Sequence, residues 1–185
     1  MKILIVILII LAIIVAIWYV VTYNGFVRER NRIEEAFATM DVYLKKRWDL
    51  VPNLLSVVKA YSEHETDTIN RLAELRDQAY DSMSVDEKFA ANRQLVDGIN
   101  KLFASAETLP DLKTNTNYLQ LSNQLNQIES DIANSRKYYN AVVRDMNTKV
   151  ESFPSSLVAN RFYFQKWKMF ELDDAQERRD VKVQF

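Results

Sequence analysis

Between Tyr118 and Val150 the chain reads YLQLSNQLNQIESDIANSRKYYNAVVRDMNTKV, and Tyr118, Leu121, Leu125, Ile128, Ile132, Ser135, Tyr139, Val142, Met146 and Val150 recur at steps of three and four. A repeat of 3.5 residues keeps one side of a helix turned toward its neighbours and favours left-handed packing at roughly 20°. The stretch contains neither Gly nor Pro. It predicts one long helix with a coiled-coil-like seam in an all-α fold of packed helices. Phe153-Pro154 ends it.

Working back toward the N-terminus, Ser84-Val85-Asp86-Glu87 has the spacing of a capping box, in which the serine side chain and the glutamate each satisfy an orphan backbone N–H. The helix it starts carries Val85, Phe89, Leu95, Val96, Ile99, Leu102, Phe103 and Ala106, and stops before Leu109-Pro110-Asp111. An earlier helix carries Leu54, Val57, Val58, Tyr61, Ile69, Leu72, Leu75 and Ala79, with a polar interruption at His64 and Glu65. Pro52, which lacks an N–H and disfavours helical geometry at Val51, predicts a break at residues 49–51 with Asp49 as a cap. Before that break, Ile33, Phe37, Met40, Leu44 and Trp48 form another helical stripe. Downstream, Ser155 or Ser156 caps a last short segment, Leu157–Phe170, followed by a mixed-charge tail over 171–185.

From Ile3 to Val21 the chain is unbroken in apolar and aromatic residues. At 1.5 Å per residue such a run nearly spans a hydrocarbon core of ~30 Å. It is too long for the apolar part of a cleaved signal and ends without a small-residue cleavage site, so it reads as a retained transmembrane helix. Trp18, Tyr19 and Tyr23 gather at its distal end, where aromatic rings favour the headgroup level. Arg28, Arg30 and Arg32 on that side, against Lys2 on the other, place the large domain in the cytoplasm by the positive-inside tendency. The expected organisation is an anchor over 1–24, continuing past Gly25 into a helical bundle over 25–170, and the tail. The aromatic and basic residues of the C-terminal segment, Phe162, Phe164, Trp167 and Phe170 with Arg161, Lys166 and Lys168, read first as a helix packed across one end of the bundle. The sharper reading makes them membrane-surface contacts alongside Trp18, Tyr19 and Tyr23.

Composition narrows the chemistry. Of 185 residues only two are Gly and three Pro, none is Cys and one is His. Disulfides, thiolate nucleophiles and cysteine-held metals are thereby excluded. His64-Glu65 lacks the second histidine four positions on that a zinc helix needs, and a di-iron bundle would need paired Glu-x-x-His motifs. Gly25 and Gly98 are isolated, so no phosphate loop forms. Twenty-four basic residues against twenty-five acidic ones, intermixed, give a net charge of −1 and no stripe for nucleic acid. No catalytic residue, metal or cofactor is expected. Arg47, Asp49, Asn53, His64 and Glu65 form the candidate polar patch, either paired structural residues or a titratable ligand-contacting group.

Specific residues carry a resemblance. Tyr23-Asn24, Arg30-Asn31, Asp41, Leu44-Lys45-Lys46-Arg47, Asp49-Leu50-Val51-Pro52-Asn53-Leu54, Tyr61, His64-Glu65, Pro110-Asp111-Leu112-Lys113, Asn117, Glu129, Tyr139-Asn140, Asn147 and Phe153-Pro154 together resemble the LemA family of bacterial membrane proteins, over nearly the whole chain from Tyr23 to Phe170. Phe37 departs from the pattern, standing where a tryptophan is usual. The resemblance implies a mainly antiparallel four-helix bundle on a single-pass anchor in the bacterial inner membrane, without catalytic residues. It also implies a link to membrane organisation, since relatives include a protein implicated in forming magnetosome membranes. The expected function is a non-catalytic, membrane-anchored scaffold that binds the lipid bilayer, copies of itself and other proteins. Exposure of Val42, Tyr138 and Val143, off the main stripes, would favour self-assembly. The competing expectations are a tethered small-ligand or peptide binding module and an accessory subunit of a membrane enzyme.

Overall fold

The computed structural model describes residues 1–61 and 66–170; His64, Glu65 and the tail over 171–185 lie outside them. The elements are α1 (Lys2–Lys59), α2 (Thr66–Arg76), a 3-10 turn (Tyr80–Ser82), α3 (Val85–Ala106), α4 (Pro110–Lys113), α5 (Thr116–Glu151) and α6 (Ser155–Phe162). No strand occurs among the described residues, so the fold is all-α. It divides into two compact units, one built from Met1–Lys46 with Asn126–Met169, the other from Arg47–Leu125 with Phe170.

In the first unit α1 and α5 run antiparallel: Gly25 faces Lys149, and further along α1 Phe37 meets Tyr139, nearer the start of α5, with ring centroids 6.1 Å apart. Phe26, Ile33, Met40 and Leu44 of α1, Ile128, Ile132, Tyr139, Val142 and Met146 of α5, and Val158 and Ala159 of α6 are buried apolar residues of this unit's core. None of the ten heptad positions on α5 is exposed, so the seam is used inside the chain. The N-terminal half of α1 behaves differently. Its apolar stretch is long and apolar enough to cross a membrane, and no residue from Ile3 to Val21 is buried by the described residues.

The second unit holds the last turns of α1, all of α2 to α4 and the start of α5. The expected break at residues 49–51 does not occur: α1 continues through Pro52 to Lys59. An interior proline costs about 3 kcal/mol. Trp48, Val51, Leu54, Leu55 and Val58 are buried on either side of it, each contributing roughly 1.5–3 kcal/mol, and that burial outweighs the lost hydrogen bond. Asp49 is therefore no cap, and the helix expected from Leu54 to Ala79 is instead the end of α1 and the separate α2.

The two glycines sit in opposite circumstances. A Cβ on Gly98 would lie 2.5 Å from Leu72 Cδ2 and 2.8 Å from its Cγ, and Leu72 is itself buried. Overpacking costs typically 1–3 kcal/mol against a helix-propensity gain of about 1. Gly98→Ala should therefore destabilise by about 1 kcal/mol. At Gly25 the obstacle is only the mobile end of Lys149, so Gly25→Ala should be neutral or stabilising. Thermal melts followed by helical circular dichroism in mild detergent distinguish the two signs.

The capping box forms as expected: Ser84 Oγ accepts from the Glu87 N–H at 3.3 Å, and the Ser84 N–H donates to Glu87 Oε2 at 2.7 Å. The Ser84 hydrogen bonds hold the Glu87 carboxyl below its usual range. A lowered carboxyl stabilises the fold above its unfolded value and loses that contribution as pH falls through the folded one. Ser84→Ala should cost about 1 kcal/mol at neutral pH. The melting difference from the native chain should shrink on acidification through the carboxylate range; a difference constant with pH would contradict the reciprocal bond.

α6 is shorter than the expected Leu157–Phe170. It ends at Phe162 because Tyr163 turns into the left-handed region (φ 59°), and the Phe164 N–H closes on Ala159 O at 3.0 Å. Its N-cap is Pro154, not a serine; Ser155 Oγ donates back to Lys149 O at 2.7 Å. Residues 164–170 are non-helical.

Candidate functional site

The sequence-derived polar set does not converge. In the second unit Arg47, only 3% exposed, points inward and its Nη2 donates to Asn92 Oδ1 on α3. Asp49 points outward to Arg76 Nη2 at 3.6 Å, with both side chains substantially exposed. Asn53 is exposed and lines a different feature, a shallow cleft of about 350 Å³ with Ser56, Asn117, Gln120 and Gln124. The remaining two residues, His64 and Glu65, are those outside the described region.

Sequence reasoning missed what surrounds Arg47. The Trp48 and Tyr80 rings lie 5.2 Å apart, the Arg76 guanidinium stands 5.9 Å from the Trp48 ring and the Lys88 ammonium 4.8 Å from Tyr80. Lys88 and Asn92, one helical turn apart on α3, are both buried. Cations over aromatic faces, the buried Lys88 and the partly exposed Arg76, gain electrostatically from the ring quadrupole, and their stems pack as apolar groups. The arrangement fixes α1, α2 and α3 to one another. The signal available in the sequence was the four-residue spacing of Lys88 and Asn92 on the apolar side of α3.

A second cleft in this unit, about 540 Å³, lies between α2 and α3, where Arg71 and Lys101 mix with Asp67, Glu74 and Asp97. Tyr118 packs edge-on to Phe103, and burial, followed by the charge of Glu107, raises its hydroxyl above its ordinary value.

The aromatic set does converge, in the first unit. Phe162 packs against Tyr19 and Tyr23 of α1, with ring centroids 5.8 and 4.6 Å apart. Phe164 lies 5.8 Å from Tyr23 and stacks on Phe26 at 4.8 Å. Lys149 sits 5.0 Å over the other participant in that stack, Phe26. The segment after α6 is strapped to α5 by Asn147, whose amide donates to Trp167 O at 2.9 Å and accepts from Trp167 N–H at 2.8 Å, and by Tyr139, whose hydroxyl donates to Lys168 O at 3.0 Å. Nearby on α1, Arg32 is held above its ordinary pKa by the hydrogen bond to Tyr138 and then by Glu29. Trp18 and Trp167 are half-buried. Phe170 departs from the surface group: it is 2% exposed and, in the second unit, meets Phe89 edge-on at 4.5 Å, so it is a core residue.

A helix able to cross a bilayer, continuous with packed α-helices, defines the class of anchored all-α proteins. Within that class the match is to one family: the LemA family model matches residues 36–185, and the chain belongs to the LemA family. It is 25% identical over 165 residues to a protein named Protein LemA from Metamycoplasma hominis, covering 88% of this chain and 74% of that protein. The polar matches Asn147 and Tyr139 acquire a role here, holding the strap that follows α6.

Proposed function

We propose that this protein is a non-catalytic scaffold, anchored in the bacterial inner membrane by the first part of α1, that associates with copies of itself and with other proteins to organise the bilayer around it. The observation that carries the reading is the apolar start of α1, which none of the described residues buries. The fifteen exposed residues from Ile3 to Ile17, left in water, would be strongly unfavourable, at about 25 cal/mol per Å² of apolar surface. The three arginines after the anchor support a cytoplasmic position for the packed helices, and the intermixed charges offer no stripe for nucleic acid.

Self-association is supported by Val42 and Tyr138, 52% and 50% exposed; Val143 is buried and takes no part. Because the chain has no cysteine, Val42→Cys and Tyr138→Cys can each be crosslinked in membranes with a short bismaleimide. Crosslinked dimers are expected at both positions and not at the exposed polar position Asn134→Cys. Equal yields at all three would remove support for a defined interface. A second reading, a tethered binding module for a small charged ligand, is favoured by the cleft between α2 and α3.

A further inference from the structure

We propose that α6 and the turn on either side of it form a second membrane contact, a foot lying in the headgroup region of the same bilayer that α1 crosses. The inference rests on the anchoring of α1 and adds a site to it. Depth follows from α1 itself. The apolar run ends at Val21, so at 1.5 Å per residue Tyr19 lies about 3 Å inside that end and Tyr23 about 3 Å beyond it. Phe162 touches both rings, which sets the end of α6 at the interface. Lys149 meets α1 at Gly25, and α5 runs antiparallel to α1, so the chain beyond Lys149 continues toward the same level.

At that level the protein presents apolar side chains that its own fold does not cover. Phe153 is 81% exposed, Leu157 58% and Tyr163 83%. Tyr163 holds a left-handed backbone that is strained for an L-residue, with its ring almost entirely outside the described fold. Aromatic rings at headgroup depth gain from having one end apolar and the other wet.

Charge fits the same occupant. From Lys149 to Phe170 there are four basic residues, Lys149, Arg161, Lys166 and Lys168, against one acidic residue, Glu151, which pairs with Lys166 at 2.6 Å. A short aromatic segment with a net positive charge matches an interfacial surface containing anionic lipid. Continuity with the anchor selects the bilayer over a protein partner.

The test uses single nitroxide labels on the full chain, at Val20→Cys, Leu157→Cys, Tyr163→Cys and Asn134→Cys, in vesicles of phosphatidylcholine with a minority of phosphatidylglycerol. Collisions with oxygen report lipid and collisions with a water-soluble nickel chelate report solvent. Leu157 and Tyr163 labels are expected to lose nickel collisions several-fold relative to Asn134 while keeping oxygen collisions, as Val20 does. If they collide with nickel as freely as Asn134 while Val20 reads lipid, the foot is wrong and the anchor stands. If Val20 also reads solvent, the anchor falls with it. Protection from both reagents would mean that protein covers the patch and would overturn the proposal.

Discussion

Trp48→Ala should destabilise the second unit by about 3–5 kcal/mol, the largest effect expected of any single substitution considered. Trp48 is fully buried beside the interior proline of α1, packed on Tyr80 at 5.2 Å and beneath Arg76 at 5.9 Å. Truncation removes the ring that α1, α2 and the turn at Tyr80 share, and the stripe that holds α1 helical through Pro52 loses its largest member. The indole Nε1 is buried without a hydrogen-bond partner among the described residues. Trp48→Phe, which keeps ring area and removes that orphan donor, should cost far less than Trp48→Ala. Ile10→Ala, in the uncovered stretch of α1, should leave the melting temperature unchanged. Melts of the three variants in one detergent check the ordering; equal losses at Trp48 and Ile10 would refute the assignment of core and anchor.

Asn147→Ala ranks second, at about 2–3 kcal/mol. The Asn147 side chain acts as a peptide group would, donating to Trp167 O and accepting from Trp167 N–H. Each such bond contributes about 1 kcal/mol net, and removing both leaves a part-buried donor and acceptor without partners. Asn147→Asp should not rescue, because its carboxylate can accept from the Trp167 N–H but faces the Trp167 carbonyl without a proton to donate. Hydrogen exchange should show the Trp167 amide opening in both variants while amides in the middle of α3 remain protected. Unchanged protection at Trp167 would contradict the strap.

Much of the fold is legible in the sequence because its helices are long and strongly periodic. The heptads from Tyr118 to Val150 mark a helix observed from Thr116 to Glu151, and the Ser84–Glu87 box marks the start of α3. Legibility fails where tertiary packing overrides a local rule. Pro52 signals a break, but buried residues on either side carry α1 through it. Tyr163 ends α6 in a backbone conformation for which glycine is the usual signal, and it disguises the stop inside an aromatic run. The site is less legible than the fold. Arg47 is singled out by sequence but its partner Asn92 lies on another helix, and of the two readings of Phe170, packed or at the membrane surface, its burial fits the first. Of the aromatic set, Tyr19, Tyr23, Phe162 and Phe164 meet one another, which their positions in the sequence do not reveal, and Asn147 and Tyr139 show their purpose only once the strap is in place.

The central claim, an anchored protein that assembles in the bilayer, is tested most directly by the mass of the full chain in lipid nanodiscs over a range of protein-to-lipid ratios. A defined multimer that persists on dilution into excess lipid and reverts to single chains when Val42 and Tyr138 are both changed to Glu is the predicted result. One chain per disc at every ratio would contradict it.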